Sequence, residues 1–599
     1  MYILGLNAFH GDSSACIYKN GELIAASEEE RFRRIKHWAG FPTEAIKFCL
    51  QEAGISIQEV DHISLSRDPN ANLYKKMLHV AKNGINIHNL LDRIQNRNKV
   101  KSIRTQLATT FGLEENAIKA EIHNVEHHRS HMASAFFASP FQDSAILSID
   151  GFGDFTSTMI GVGRENKIEV LNSVVFPHSV GIFYQAFTQF LGFPYYGDEY
   201  KVMGLAPYGK PIFVDKLKDV IMLKDNGFFQ LNEKYFLHPK NGAKMTWEDG
   251  SPDTATLYSG YLIEKFGPAR QKEEPLTDYH RNLAASVQRI TQEVIFHILN
   301  YLHKKTGQDN ICIAGGVAQN SVANGKILLN TAFKHIYIPP SGHDGGTSIG
   351  SALYVYNHIL NMPRIKPMFD PYTGSKYSDA VIQGLLDTQE VGYVKIGDEE
   401  LFDKVTDCLI EGGVVGWFQG RAEFGPRALG HRSILADPRR NDVKEILNLK
   451  IKRRESFRPF APSILKEDIT HYFEQVDDVP FMEKVFFIKP EKRAEIPAVT
   501  HVDGTGRLQS VDANIEPKYY ALINEFKRKT GVPVLVNTSF NENEPIVNTP
   551  QEALECFLRT KMDMLVMGNF VVERSKKYLI DTQETEGDEV VSEIRNNIQ

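Results

Sequence analysis

One strand pattern occurs twice in this chain. Residues 1–30 read YILGLN, a polar loop FHGDSS, ACIY, a turn at Lys19-Asn20-Gly21-Glu22, then LIAASEE. The same succession returns at residues 145–172 as AILSID, the loop GFGDFTS, TMIGVG, a turn around Arg164-Glu165-Asn166, and KIEVLN. Each copy predicts a three-strand meander, the first with the Asn-Gly signal of a tight hairpin. Residues 4–9 align with 147–152, which sets Asn7 against Asp150 and His10 against Gly153. Unrelated hairpins are common, but a shared register of apolar and loop positions is less so, and duplication is the better explanation. A repeated meander with a small, polar first loop builds a two-lobed nucleotide cleft, because the loops offer backbone N–H groups to phosphates.

At 599 residues and 67.7 kDa the chain exceeds one core, and two or three domains are expected. Between 279 and 306, Leu283, Val287, Ile290, Val294, Ile298 and Leu302 recur every three or four positions, predicting an amphipathic helix that stops at Gly307. Two strand-to-helix turns follow, Gly315-Gly316-Val317-Ala318-Gln319-Asn320 and Ser341-Gly342-His343-Asp344-Gly345-Gly346-Thr347, and helix N-termini at such turns can face an anion. MPRIKPMFDPYTGSKYSD lacks apolar periodicity and reads as a connector. The expected division is 1–365, a linker 366–395, a second unit 396–577 and a mobile tail 578–599, whose polar residues have little to bury. In the second unit, Thr549-Pro550-Gln551-Glu552 is a capping box that opens the helix EALECFLRT.

With 42% apolar and 24% charged residues, collagen-like, disordered and disulfide-scaffold classes are excluded. A net charge of −7 does not suit a protein that coats polyanions, so no nucleic-acid partner is expected. Cys16, Cys49, Cys312, Cys408 and Cys556 form no C-x-x-C, which argues against a zinc knuckle and fits a reducing compartment. The N-terminus lacks a basic n-region and no run approaches the ~20 apolar residues of a membrane span. The reading is cytoplasmic with no membrane partner, and a homodimer is the expectation from the prevalence of twofold assemblies alone.

In VEHHRSHMASAFFASPF, His127 and His131 are four apart at a helix start, where both rings reach one ion. Alone, such a pair is more often a packed pair than a metal site, and His128 is an alternative to His127. Asp150 at a strand end and Asp344 in a glycine-rich turn are nearby anionic candidates, and two imidazoles with carboxylates suit iron, zinc or manganese better than magnesium or copper. His10 in the first meander loop is a solvated loop histidine on composition, and a base for a hydroxyl if the loop faces the cleft. In the second unit, RAEFGPRALGHRS and KIKRRESFRPFAPS carry Arg427, Arg432, Lys452, Arg454 and Arg458. A solvated basic face and an RNA-binding patch are the alternatives, but ordered Phe-Arg-Pro-Phe backbone favours a compact oxyanion pocket. Arg507, Asn537 and Ser539 add donors of the same type, whereas His501 and Asp503 read equally well as an ordinary loop pair.

Through nearly its whole length the sequence resembles the NodU/CmcH family of O-carbamoyltransferases, in LNAFHGDSSA, EEERFRRIKH, EHHRSHMASAF, DGFGD, YKVMGLAPYG, GGVAQN, GHDGG, GRAEFGPRALGHRSILADPR, KRRESFRPFAPS, VDGTGRLQ and NTSFN. The resemblance implies an α/β protein: a two-lobed actin-like N-terminal domain, a duplicated βββαβα, followed by a YrdC-like twisted-sheet domain. It implies Fe(II) held by His127, His131, Asp150 and Asp344, and His10 as the catalytic histidine of carbamoyl transfer. Arg427, Lys452, Arg458, Arg507, Asn537 and Ser539 match the family's pocket for carbamoyl phosphate and ATP. Gly151, Gly153, Gly316 and Asn320 match its nucleotide-binding turns.

The activity so implied is ATP-dependent: carbamoyladenylate is made from carbamoyl phosphate and ATP, with Mg2+ accompanying the ATP, and the carbamoyl group passes to a hydroxyl of a small-molecule natural product. The competing readings are an actin-fold kinase, threonylcarbamoyl transfer to tRNA, and a non-enzymatic ATP-switched binding protein. Nothing in the sequence selects the acceptor alcohol.

Overall fold

A computed structural model describes residues 1–83, 103–242, 245–246 and 250–574. The tail expected at 578–599 lies outside the described residues. Strands β1 (Tyr2–Asn7), β2 (Ser14–Lys19) and β3 (Glu22–Glu28) form the first meander. The β2–β3 turn places Asn20 and Gly21 at φ 51 and 88, the left-handed pair that a two-residue hairpin requires. The short helix α1 (Glu30–Arg33) follows, and β4 (His62–Leu65) and β5 (Glu121–Asn124) complete a sheet ordered β3-β2-β1-β4-β5.

Helix α2 (His127–Phe136) leads into the second meander, β6 (Asp143–Gly153), β7 (Thr156–Arg164) and β8 (Lys167–Val175). Helix α3 (Val180–Phe190) and the long α4 (Asp278–Thr306) precede β9 (Asn310–Ala314) and β10 (His335–Tyr337), in a sheet ordered β8-β7-β6-β9-β10. In both sheets the first three strands are antiparallel and the last two join the first in parallel. The two lobes therefore share one topology, the duplicated actin-like βββαβα pattern. The copies differ where it matters: β1 stops at Asn7, but β6 runs on to Gly153 with a register break between Ile149 and Gly153. That irregularity re-aims the strand end carrying Asp150.

All six periodic positions of α4 are 3% exposed or less, packed beneath the second sheet, and Gly307 closes the helix at φ 64. Burying one such side chain contributes about 1.5–3 kcal/mol. After β9 the chain turns at Gly315, φ 106, where a Cβ would stand 2.1 Å from the Ile149 carbonyl oxygen, so only glycine lets this turn close against β6. Helix α5 (Thr347–Leu353) packs on α2 between the lobes, close enough that a Cβ on Gly350 would meet the Ser130 carbonyl at 1.8 Å.

The second unit is one mixed eight-stranded sheet of β11 (Val394–Lys395), β12 (Val415–Phe418), β13 (Arg432–Ala436), β14 (Ala461–Leu465), β15 (Gln509–Val511), β16 (Val534–Ser539), β17 (Met564–Met567) and β18 (Phe570–Glu573), ordered β11-β18-β17-β12-β13-β16-β14-β15. The chain is thus α/β in both halves, as expected. Thr549 caps the helix Pro550–Arg559 by accepting the Glu552 amide at 3.2 Å.

The connector reading of 366–395 needs correction. Helix α6 (Asp379–Thr388) buries Ile382 and Leu386 in the second unit's core, and β11 pairs with β18. Upstream, the Tyr372 hydroxyl donates to the Leu429 carbonyl and the Gly374 amide to the Ala422 carbonyl, so this Pro/Gly-rich stretch is pinned at an interface. No helix among the described residues is long and apolar enough to cross a membrane.

Candidate active site

Glu126 caps α2, its carboxylate accepting the Arg129 amide at 2.8 Å, and the i, i+4 spacing turns His127 and His131 to one side. Their Nε2 atoms stand 3.1 Å apart. Asp150 Oδ2 lies 3.1 Å from His127 Nε2 and 3.2 Å from His131 Nε2, and Asp344 Oδ1 lies 3.4 and 3.2 Å from the same two atoms. All four residues are buried. Donors ~2.1 Å from a common centre stand about 3.0–3.4 Å apart along the edges of an octahedron or tetrahedron, so the spacing and the N2O2 chemistry fit a divalent transition ion. Burial and mutual repulsion with Asp344 oppose the charge on Asp150, yet hydrogen bonds from both histidines hold its carboxyl below the usual range. The ring of His128 faces elsewhere, to Ser148 Oγ at 2.7 Å and the Thr156 carbonyl at 3.0 Å, and burial lowers it to about 3. The choice between His127 and His128 is thereby decided by geometry.

His10 Nδ1 is 2.7 Å from Asp344 Oδ2, so one carboxylate faces both the cluster and this ring. Asp150 Oδ1 accepts the amides of Gly151 and Gly316 at 2.7 and 3.0 Å. These residues open onto a cavity of about 430 Å³ between the two units. Its far wall carries Arg427, Arg454, Arg458, Arg507, Asn537 and Ser539. Burial, then repulsion from Arg427, Arg454 and Arg458, holds the Arg507 guanidinium well below its usual range, and its Nε is buried without a hydrogen-bond partner among the described residues. Burial lowers Arg427 to about 10 and Arg454 to about 9, with Arg458 adding repulsion in each case. Asn537 donates to Ser463 and Gln509 at 3.0 Å each, leaving Oδ1 buried and without a hydrogen-bond partner among the described residues. A wall of mutually repelling guanidiniums with unspent donors is arranged for an anion.

Other expected site residues sit differently. Lys452 does not line the cavity; its ammonium donates to the Ser539 carbonyl, the Asn541 carbonyl at 2.6 Å and Asn541 Oδ1 at 2.7 Å, which holds the turn after β16. Arg432 is equally engaged, stacked 3.7 Å over Phe418 and donating to the Ser375 carbonyl at 2.9 Å. Gly153 is absent from the cavity lining, and a Cβ there would fall 2.0 Å from His127 Cδ2. Asn320 lines the cavity, but its amide caps the following turn and pairs with Gln288 at 2.9 and 3.0 Å. His501 and Asp503 also line it, and burial lowers His501 to about 4.

A family model described as the carbamoyltransferase N-terminus matches residues 2–353, and one described as the carbamoyltransferase C-terminus matches residues 406–574. The chain belongs to the carbamoyltransferase family. It is 41% identical to an uncharacterized protein of Synechocystis over 96% of this chain and 97% of that one. To the nodulation protein NolNO of Sinorhizobium fredii it is 36% identical, over 95% and 80% of the two chains. To the 3'-hydroxymethylcephem-O-carbamoyltransferase of Amycolatopsis lactamdurans it is 32% identical, over 42% and 47%. These likenesses agree with the NodU/CmcH membership that the motifs imply, and the protein is a carbamoyl-transferring enzyme.

Sequence reasoning assigned no role to the other wall of this carbamoyltransferase's cavity. His37 Nδ1 sits 2.7 Å from Asp12 Oδ1, and its backbone amide donates to Glu30 at 2.9 Å. His343 Nε2 lies 3.4 Å from Glu28 Oε1, and all five side chains line the cavity with His10. Although burial opposes it, Asp12 raises His37 to about 9, so this ring is cationic at neutral pH. The alternation of acid and base in EEERFRRIKH was the available signal. Glu199 and Gln185 line the cavity too, the latter with Nε2 buried and unpaired among the described residues.

Two outcomes follow from this geometry. A Gly153→Ala variant forces the His127 ring aside at a cost of about 1–3 kcal/mol, and its melting temperature falls accordingly. Burial raises Glu199 from 4.5 to about 7. Because the folded state holds this proton more tightly than the unfolded chain, the Glu199 contribution to stability is present below pH 4.5 and is lost as pH rises to about 7. A Glu199→Gln variant therefore gains melting temperature relative to the parent across that window, as thermal melts at stepped pH would read.

Proposed function

We propose that the enzyme is an ATP-dependent O-carbamoyltransferase that makes carbamoyladenylate and passes its carbamoyl group to a hydroxyl of a small-molecule natural product. The observation that carries this reading is a cavity lined by a guanidinium wall on one side and by His10, Asp150 and Asp344 on the other, with His127 and His131 buried directly behind the two carboxylates.

At the guanidinium wall, Arg427, Arg458 and Arg507 neutralise the phosphates of carbamoyl phosphate and of ATP, which brings its Mg2+ as part of the co-substrate. Water releases phosphate from carbamoyl phosphate, a carbamate oxygen attacks the α-phosphorus, and pyrophosphate leaves. Asn537 and Ser539 orient the reacting groups, and Lys452 fixes the turn that carries Ser539. At the opposite wall, His10 turns Nδ1 to Asp344, so its Nε2 is the atom that takes the proton of the acceptor hydroxyl as oxygen attacks the carbamoyl carbon and AMP departs. His127, His131, Asp150 and Asp344 would hold Fe(II), which supplies Lewis acidity toward a carbamoyl or phosphate oxygen. Enclosure between the two units keeps water from the labile mixed anhydride.

The decisive measurement incubates the enzyme with ATP and carbamoyl phosphate and no acceptor, then weighs the products. Pyrophosphate together with a carbamoyladenylate mass supports the relay. ADP as the sole nucleotide product rejects it in favour of a kinase.

A further inference from the structure

Outside this cavity, strands β4 and β5 bring together a second group of metal-ligand chemistry. Their parallel register sets His62 beside Glu121 and Ser64 beside His123. Strand alternation then puts Glu121 and His123 on one face. His62 Nδ1 stands 3.1 Å from His123 Nε2, and the Glu121 carboxylate lies 3.7 Å from the first nitrogen and 3.9 Å from the second. The imidazoles are largely enclosed, with side chains 15% and 9% exposed, whereas Glu121 is 68% exposed and can swing inward.

Two imidazole nitrogens at this distance either share one hydrogen, one ring donating N–H to the other, or hold an ion between them. The Glu121 carboxylate, within 4 Å of both nitrogens, adds the third donor that an ion in this position would use. We infer that His62, Glu121 and His123 form a second metal site, taking a zinc-class divalent ion through two imidazoles and one carboxylate, with water completing the shell. The site ties the four-residue edge strand β5 to β4. Such a tie supplies cross-strand stability at a sheet edge that is paired on one side only.

The test uses the full chain, stripped by chelation and titrated with Co2+, whose visible spectrum reports tetrahedral or five-coordinate binding, with Zn2+ in equilibrium dialysis as the second probe. Wild type is expected to take up two ions per chain at micromolar concentration. The His62→Gln/His123→Gln double variant is expected to lose one ion and keep the other, and His127→Ala/His131→Ala to lose the complementary one. Glu121→Ala, at an exposed position that the fold tolerates, is expected to weaken the second equivalent roughly 10-fold or more. Unchanged stoichiometry in the His62/His123 double variant, or a wild type that saturates with a single ion, overturns the inference. Zn2+ is also expected to raise the melting temperature of the His127→Ala/His131→Ala variant, and no rise there counts against the site.

Discussion

An Asp344→Asn enzyme is expected to carbamoylate its alcohol about 10⁴-fold more slowly while still releasing pyrophosphate from ATP at close to the parental rate. The asymmetry comes from where the two oxygens of this carboxylate sit. Oδ1 is 3.2 Å from His131 Nε2 and 3.4 Å from His127 Nε2, and Oδ2 is 2.7 Å from His10 Nδ1. An amide fills the same volume but has one acceptor where the carboxylate has two. Turned one way it points N–H at the Nε2 atoms of His127 and His131; turned the other it offers N–H to His10 Nδ1 and forces the proton onto Nε2, the nitrogen proposed as the base. Either orientation disables transfer, and neither touches the guanidinium wall. The measurement pairs acceptor mass gain with pyrophosphate release in the absence of acceptor. Equal loss of both activities would mean that the cavity has one reaction centre, and undiminished transfer would remove His10 and the cluster from the chemistry.

The contrast between what the sequence disclosed and what it hid follows the range of the forces involved. Meander duplication was legible because alternation and turn chemistry are local: Asn20-Gly21 dictates its own hairpin, and Leu283 through Leu302 dictate their own helix face. The histidine pair was legible as a spacing, but its choice over His128 needed the positions of Ser148 and Thr156 on the neighbouring sheet. Charge was the least transparent signal. Lys452 and Arg432 are buried and Arg507 is half-buried, and burial disfavours the charge on all three, yet carbonyl oxygens accept from the first two while Arg507 Nε meets no hydrogen-bond partner among the described residues. A sequence reports that a cation is present and leaves open what it meets. The same limitation hid the Asp12–His37 contact, which joins two loops 25 positions apart, and it made 366–395 look free because its buried partners lie in both units.

That difference in what the three cations meet gives the second large effect. Arg507→Met is expected to reduce pyrophosphate release by about 10³-fold, the scale of losing one preorganised electrostatic contact to a transition-state oxygen, and at the same time to raise the melting temperature of the ligand-free enzyme. Burial and the fields of Arg427, Arg454 and Arg458 disfavour the charged form of Arg507 in the folded chain. Removing that charge therefore relieves the fold, much as replacing an unneutralised, partly desolvated ion by an apolar side chain often does. Lys452→Met should behave oppositely in stability, because it strips a bonded partner from the Ser539 and Asn541 carbonyls and leaves them unpaired. Melting curves of the two variants without ligand, set beside their pyrophosphate-release rates, separate a cation poised for an anion from one that braces a turn. If Arg507→Met melts lower than the parent and keeps its turnover, the guanidinium wall is structural and the activating half of the reaction has to be sought elsewhere.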